Sequence, residues 1–143
     1  MSEEYLRKGR TRTTGYSKLY HELFDLYHPY IGDKATLYYT VLLRYRNNTE
    51  GASEGKSWIG RKKVSEEFNL NFAQLKRADA IIEAFDLIRV EKVYSGRGRP
   101  KNVYYVNHPL ESEEFPKFEA EYVRKLKEIC TEDKAVINML GKK

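Results

Sequence analysis

"SWIGRKKVSEEFNLNFAQLKRADAIIEAFDLIRVEKVYSGRGRPKNVYYV", residues 57–106, changes its periodicity several times along its length. "SWIG" (57–60) reads as a very short strand. "RKKVSEEFN" (61–69) reads as a brief helix with Val64 and Phe68 turned inward, and "NLN" (69–71) as a tight connection whose Asn71 caps the next helix. In "FAQLKRADAIIEAFD" (72–86), Leu75, Ala78, Ile82 and Phe85 fall at steps of three, four and three, one face of a helix. Asp86 stands where such helices often end on Gly. "LIRVEKVY" (87–94) is β-branched and partly alternating, "SGRGRPKN" is a turn, and "VYYV" (103–106) is the returning strand.

Upstream, "YSKLYHELFDLYHPY" (16–30) spaces Tyr16, Leu19, Tyr20, Leu23, Phe24 and Tyr27 as one helical face, interrupted at Pro29. A second helix restarts in "IGDKATLYYTVLLRYRNN", with Asp33 as its cap and Leu37, Tyr38, Val41, Leu42 and Tyr45 as its apolar face. Residues 47–57 are a loop by composition. Downstream, residues 113–129 place Phe115, Phe118, Tyr122, Leu126 and Ile129 on one stripe. Thr131 is the expected cap of a last helical segment, 132–140.

The order helix, short strand, helix, tight turn, helix, strand, basic turn, strand predicts an α+β, mostly helical fold. It is that of a winged helix–turn–helix with a two- or three-stranded antiparallel wing sheet and extra N- and C-terminal helices. The chain divides into three regions: a basic flexible arm over 1–15, the winged domain over 16–110, and a C-terminal helical extension over 111–143. That extension is expected to pack on its own domain or to join two copies as a homodimer.

Charge supports a polyanionic partner. Of a formal net charge of +5, residues 56–101 carry 11 Lys/Arg against 6 Asp/Glu, while the flanking segments come to +1 and −1. A basic excess held in one segment is the electrostatic footprint of nucleic-acid binding. The third helix suits a major groove, where the residues at its start face base edges. On this register the candidates are Asn71, Phe72, Ala73, Gln74, Lys76 and Arg77. Gln pairs with adenine and Arg with guanine in two-bond geometry. Phe72 has two readings: it closes the small core beside the tight turn, as aromatics there more often do, or it meets a thymine methyl or a base step. Arg61, Lys62 and Lys63 begin the preceding helix, where free N–H groups and the dipole favour phosphate. Asp79 is unexpected, since a large apolar residue usually stands there, and it puts the helical register in question.

In the turn, Gly96 and Gly98 permit positive φ and Pro100 limits disorder. Arg97, Arg99, Lys101 and Asn102 are its candidate DNA contacts, on phosphates or in a narrow minor groove. "GRGRPK" fails as a dinucleotide fingerprint at Lys101 and lacks the G-K-[ST] of a phosphate-cradling loop. His21, His28 and His108 are scattered, and no hydrolase or metalloprotease motif occurs. The expectation is therefore no enzymatic site, no metal, no cofactor and no small-molecule ligand. Cys130 is alone, which excludes an internal disulfide. The tyrosines, twelve in all, have helical spacings that point to core packing rather than base stacking. No apolar run approaches the roughly 20 residues of a membrane span, and residues 1–16 lack the apolar stretch of a signal peptide. A cytoplasmic protein without a membrane partner is expected.

With these motifs in place, the chain resembles the winged-helix domains at the N-termini of plasmid and phage replication initiators and DnaD-type primosome proteins. The resemblance lies in "IGDKATLYYTVLLRYRNN", in residues 57–93 and in the wing "GRGRPKNVYYV", and covers roughly residues 16–108. It departs at Val64, where a Leu is usual, and at Asp86, where a Gly is usual. The resemblance implies double-stranded DNA binding through Asn71–Arg77 and the wing at 97–102. The expected function is sequence-specific binding of double-stranded DNA in replication initiation or transcriptional regulation. The alternative is a winged helix used for protein–protein contact in a primosome or partition complex, with weak or no DNA binding.

Overall fold

The computed structural model describes residues 13–49, 51, 53–57, 59–94, 96, 98 and 101–143, with Lys101 described in its backbone only. Most of the expected basic arm thus lies outside the described residues. The elements in order are α1 (Leu23–Tyr27, one π-helical turn), α2 (His28–Arg44), β1 (Lys56–Ser57), α3 (Arg61–Glu67), α4 (Phe72–Ala84), β2 (Ile88–Val93), β3 (Lys101–Val106) and α5 (Phe115–Glu132). A 3-10 helix, Lys134–Met139, comes after α5. The fold is α+β and mostly helical, with one three-stranded antiparallel sheet ordered β1-β3-β2. Its register pairs Arg89 with Tyr105 and Lys92 with Asn102 between β2 and β3, and Lys56 with Tyr105 between β1 and β3.

The helical face predicted for α4 is the face that packs: Leu75, Ala78, Ile82 and Phe85 are all fully buried. Phe85 lies among three tyrosine rings, Tyr122 at 5.3 Å, Tyr30 at 5.6 Å and Tyr27 at 6.1 Å between centroids. Such offset and tilted aromatic pairs each stabilise by about 0.5–1.5 kcal/mol beyond the area they bury. Tyr38 and Tyr39 are buried as well. The stripe of α5 closes the same core through Phe115, Tyr122 and Leu126, with Phe118 left partly outside. The C-terminal helices therefore pack on their own chain.

Several local expectations give way to packing. Residues 16–20 are not helical, and Tyr16, Leu19 and Tyr20 are exposed. Pro29 does not interrupt the helix: the helical run from residue 21 continues through it, with the π-helical turn Leu23–Tyr27 immediately before it. The break comes at Gly32, with φ 84° and ψ 176°. Asp33 makes no cap, and its carboxylate accepts a 2.6 Å bond from the His28 Nε2. Leu37, expected inward, is 43% exposed. Phe72 lies on the surface rather than in the core. At the C-terminus the cap is Asp133, whose side chain accepts from the Ala135 N–H, and not Thr131.

Gly32 fixes the entry of α2 through close approach. A Cβ there would overlap the Met139 carbonyl oxygen, and one at Gly141 would overlap the Pro29 carbonyl oxygen. The two backbones are joined by bonds from the Gly141 N–H to the Tyr30 carbonyl (3.0 Å) and from the Lys143 N–H to the Pro29 carbonyl (2.9 Å).

Candidate nucleic-acid interface

The α3–α4 corner begins with a short turn. The Leu70 N–H donates to the Phe68 carbonyl at 2.7 Å, and the Leu70 side chain is buried beneath it. Asn71 then caps α4 reciprocally: its side chain accepts from the Gln74 N–H at 2.8 Å, while the Gln74 Oε1 accepts from the Asn71 N–H at 3.0 Å. Two of the free N–H groups of the helix start are satisfied this way. The cap holds Phe72, Ala73 and Lys76 on the exposed side, with Phe72 58% exposed at the first helical position.

Behind this corner lies a buried polar cluster. Asp79, 6% exposed, accepts from the Tyr38 hydroxyl at 2.6 Å, from the Tyr104 hydroxyl at 3.2 Å and from Arg61. The Arg61 Nε also donates to the Tyr104 hydroxyl at 2.9 Å. Burial pushes the Asp79 carboxyl up, and the Tyr38, Arg61 and Tyr104 donors oppose that rise. Burial likewise pushes the Tyr38 hydroxyl up, reinforced by Asp79. Asp79 is thus no register error. It is the acceptor that ties α2, α3, α4 and β3 together.

The predicted contact residues fall into three groups. Lys62, Lys63 and Lys76 are exposed; Lys63 stands 4.0 Å from Glu67 and 5.4 Å from the Tyr45 ring centroid. Asn71, Ala73 and Asn102 are exposed too, and Arg61 and Asn102 line one open groove between β1, the start of α3 and β3. A second group is engaged within the chain. Arg61 is held by Asp79 and Tyr104, the Gln74 carbonyl by the cap, and the Arg77 Nε by Asp133 at 2.9 Å. That Arg77 hydrogen bond holds the Asp133 carboxyl below the usual aspartate range. The third group, Arg97 and Arg99, lies outside the described residues, as does the Lys101 side chain. Gly96 and Gly98, between and beside them, have φ of 77° and 73°, the positive values expected for a tight tip.

A basic row on the outer sheet face is absent from the predicted contacts. Arg89 lies 4.2 Å and Lys56 5.7 Å from the Tyr105 ring centroid. Period-two alternation in the strands places all three on one face once the register is known, but that register depends on the β2–β3 turn. Tyr94, just past β2, is 75% exposed.

Among the described residues, no cluster of three or more His, Cys, Asp or Glu side chains could hold a metal ion. Burial pushes the Cys130 thiol up, away from a reactive thiolate. No described helix is long and apolar enough to cross a membrane. Comparisons with protein-family models, curated proteins and solved structures find no match to this chain.

Proposed function

We propose that the chain is a winged helix–turn–helix protein that binds double-stranded DNA, with α4 in the major groove and the β2–β3 turn against the flanking backbone. The observation that carries this reading is the exposure of Lys62, Lys63 and Lys76 around an α3–α4 corner backed by a β1-β3-β2 sheet. A helix about 10–12 Å across fits a major groove about 12 Å wide. Lysines on the helices before and within that groove would meet phosphates and set the register of binding. The resemblance to initiator and primosome winged helices favours a role in replication initiation, and transcriptional control would use the same binding chemistry. In this reading the protein acts in the cytoplasm as a binding protein without a cofactor. A homodimer built on the C-terminal helices would have to use Phe118 and Ile137, the large apolar side chains left exposed there.

One observation favours the second reading, a protein–protein module. Tyr16, Leu19, Tyr20 and Phe24 are 40–65% exposed within a short stretch, and grouped apolar exposure of this kind marks partner contact.

Titration of random duplex at several salt concentrations separates the two. If the lysines neutralise phosphates, log K falls linearly with log salt, with a slope of about −0.9 per contact. Replacing Lys62, Lys63 or Lys76 by Gln then lowers that slope by about 0.9 each. Absence of binding to any duplex at about 50 mM salt overturns the DNA reading, because nonspecific binding is strongest there.

A further inference from the structure

The start of α4 is unusual in what it leaves free. The Gln74 carbonyl and the Arg77 Nε, atoms that two-bond base recognition can use, are engaged by Asn71 and Asp133. The side chains that project without an internal hydrogen bond among the described residues are Phe72, Ala73 and Lys76. Two of these three are apolar, and Phe72 presents most of its ring to solvent at the first helical position. A large aromatic held outward by a reciprocal cap costs apolar exposure in the free protein, so its position calls for an apolar counterpart.

From this placement we infer that sequence readout by α4 is apolar, with Phe72 and Ala73 seated against the 5-methyl groups of thymine while Lys76 holds a phosphate. This rests on the DNA-binding reading and adds to it the chemistry that is recognised. In the major groove the thymine methyl is the only apolar group on a base edge, and Phe and Ala are side chains that contact it. Insertion of Phe72 between base steps is disfavoured by geometry. Wedge residues enter from the minor groove, which at about 6 Å is too narrow for a helix.

The test uses the full chain and a duplex selected from a random pool. Each thymine is replaced in turn by deoxyuridine, which removes only the methyl group, and affinities are compared by fluorescence anisotropy. At one or two adjacent positions the wild type should bind the thymine duplex about fourfold more tightly, the effect of burying one methyl-sized group. Phe72→Ala should abolish that ratio at the thymine its ring meets, and 5-methylcytosine at the same position should preserve it in the wild type wherever cytosine is tolerated. Lys76→Gln should keep the ratio while weakening binding to both duplexes, since it removes only a phosphate contact. A ratio unchanged by Phe72→Ala, or insensitivity at every thymine, overturns the inference while leaving duplex binding intact. A rise in 2-aminopurine fluorescence that depends on Phe72 assigns the ring to base-step insertion and also overturns it. Failure to bind any duplex at low salt removes the DNA reading itself.

Discussion

Tyr38 on α2 donates a 2.6 Å hydrogen bond to the buried carboxylate of Asp79 on α4, forty-one positions away in the chain. Arg61 reaches the same carboxylate from the start of α3, and Tyr104 from β3. A buried charge is tolerated when it is paired and its lone pairs are satisfied. Here one aspartate meets both conditions with partners from three elements. No buried side-chain polar atom among the described residues is left without a partner. The orientation of α4, and with it the face carrying Phe72 and Lys76, depends on this cluster.

Removing the acceptor should therefore cost far more than a surface change. Asp79→Ala leaves the Tyr38 hydroxyl buried and unpaired and Arg61 without its counter-ion. Urea denaturation should show a loss of about 2–4 kcal/mol, less than for a fully enclosed pair because Arg61 can still reach water. The combined variant Asp79→Leu, Arg61→Met, Tyr38→Phe and Tyr104→Phe, which removes every polar member of the cluster, should recover much of this, since well-packed apolar replacements of buried pairs are often neutral. A single-variant loss below about 0.5 kcal/mol, within the range of ordinary surface changes, would contradict the role assigned to the cluster.

The glycine pair at the α2 kink gives an independent prediction. Gly32→Ala and Gly141→Ala each drive a methyl group into a backbone carbonyl, and at Gly32 the positive φ adds strain. Each should lower stability by more than about 2 kcal/mol, since backbone cannot yield as a flexible side chain would. Gly60→Ala is the control: its Cβ would meet nothing within 4 Å, and its φ of −88° suits any residue. Thermal unfolding of the three variants compares them directly.

These two features show where the sequence could be read and where it could not. The α4 face is legible because 3.6-residue periodicity is local, and Asp86 stands out as a Gly substitute, with φ of 56° in the left-handed region. The turn glycines 96 and 98 are legible for the same local reason. The partners of Asp79 are not, because Tyr38 and Tyr104 lie far along the chain and only the closed sheet brings them near. Sequence alone points to Pro29 as the helix break, because proline is the stronger local signal. Gly32 breaks the helix through contact with residues more than a hundred positions later, which no local pattern encodes. Arg77 and Gln74 look free in a helical projection, yet a partner at Asp133 and a cap at Asn71 engage them.

Alkaline pH should weaken the contact between α2 and α5. The Tyr30 hydroxyl donates to Glu119, and burial together with that carboxylate pushes its pKa up to about 12, from 10.0. The proton is held more tightly in the folded state. The contribution of Tyr30 is therefore fully present below pH 10 and is lost as pH rises through about 12. Ultraviolet titration of tyrosinate should show a late-ionising phase, shared with Tyr38, Tyr39 and Tyr122, which burial also pushes up, and Tyr30→Phe should reduce that phase by one residue's absorbance. The same variant should make stability less sensitive to pH over that interval. Retention of the full late phase in the variant would refute the assignment.

Arg77 offers a way to test whether internal pairing limits DNA affinity. Its Nε is held by Asp133, and Asp133 also caps the adjoining 3-10 helix by accepting from the Ala135 N–H at 3.1 Å. Asp133→Asn keeps a side-chain oxygen for the cap but removes the charge, so the helix start is preserved while Arg77 is released. If α4 binds duplex DNA, the variant should bind random duplex more tightly, by up to about fivefold, because an exposed ion pair competes with phosphate by about 1 kcal/mol or less. Its salt dependence should steepen by about 0.9, one added phosphate contact. Adding Arg77→Ala should cancel both changes, which separates release of Arg77 from a general gain in positive charge. Acid should act in the same direction. The Asp133 carboxyl is held below its usual value of 3.8, so the pair persists above that value and is lost only as pH falls through the lower one. Binding measured at neutral pH therefore samples the tied arginine, and an Asp133→Asn variant with unchanged affinity and slope would show that Arg77 does not face the DNA.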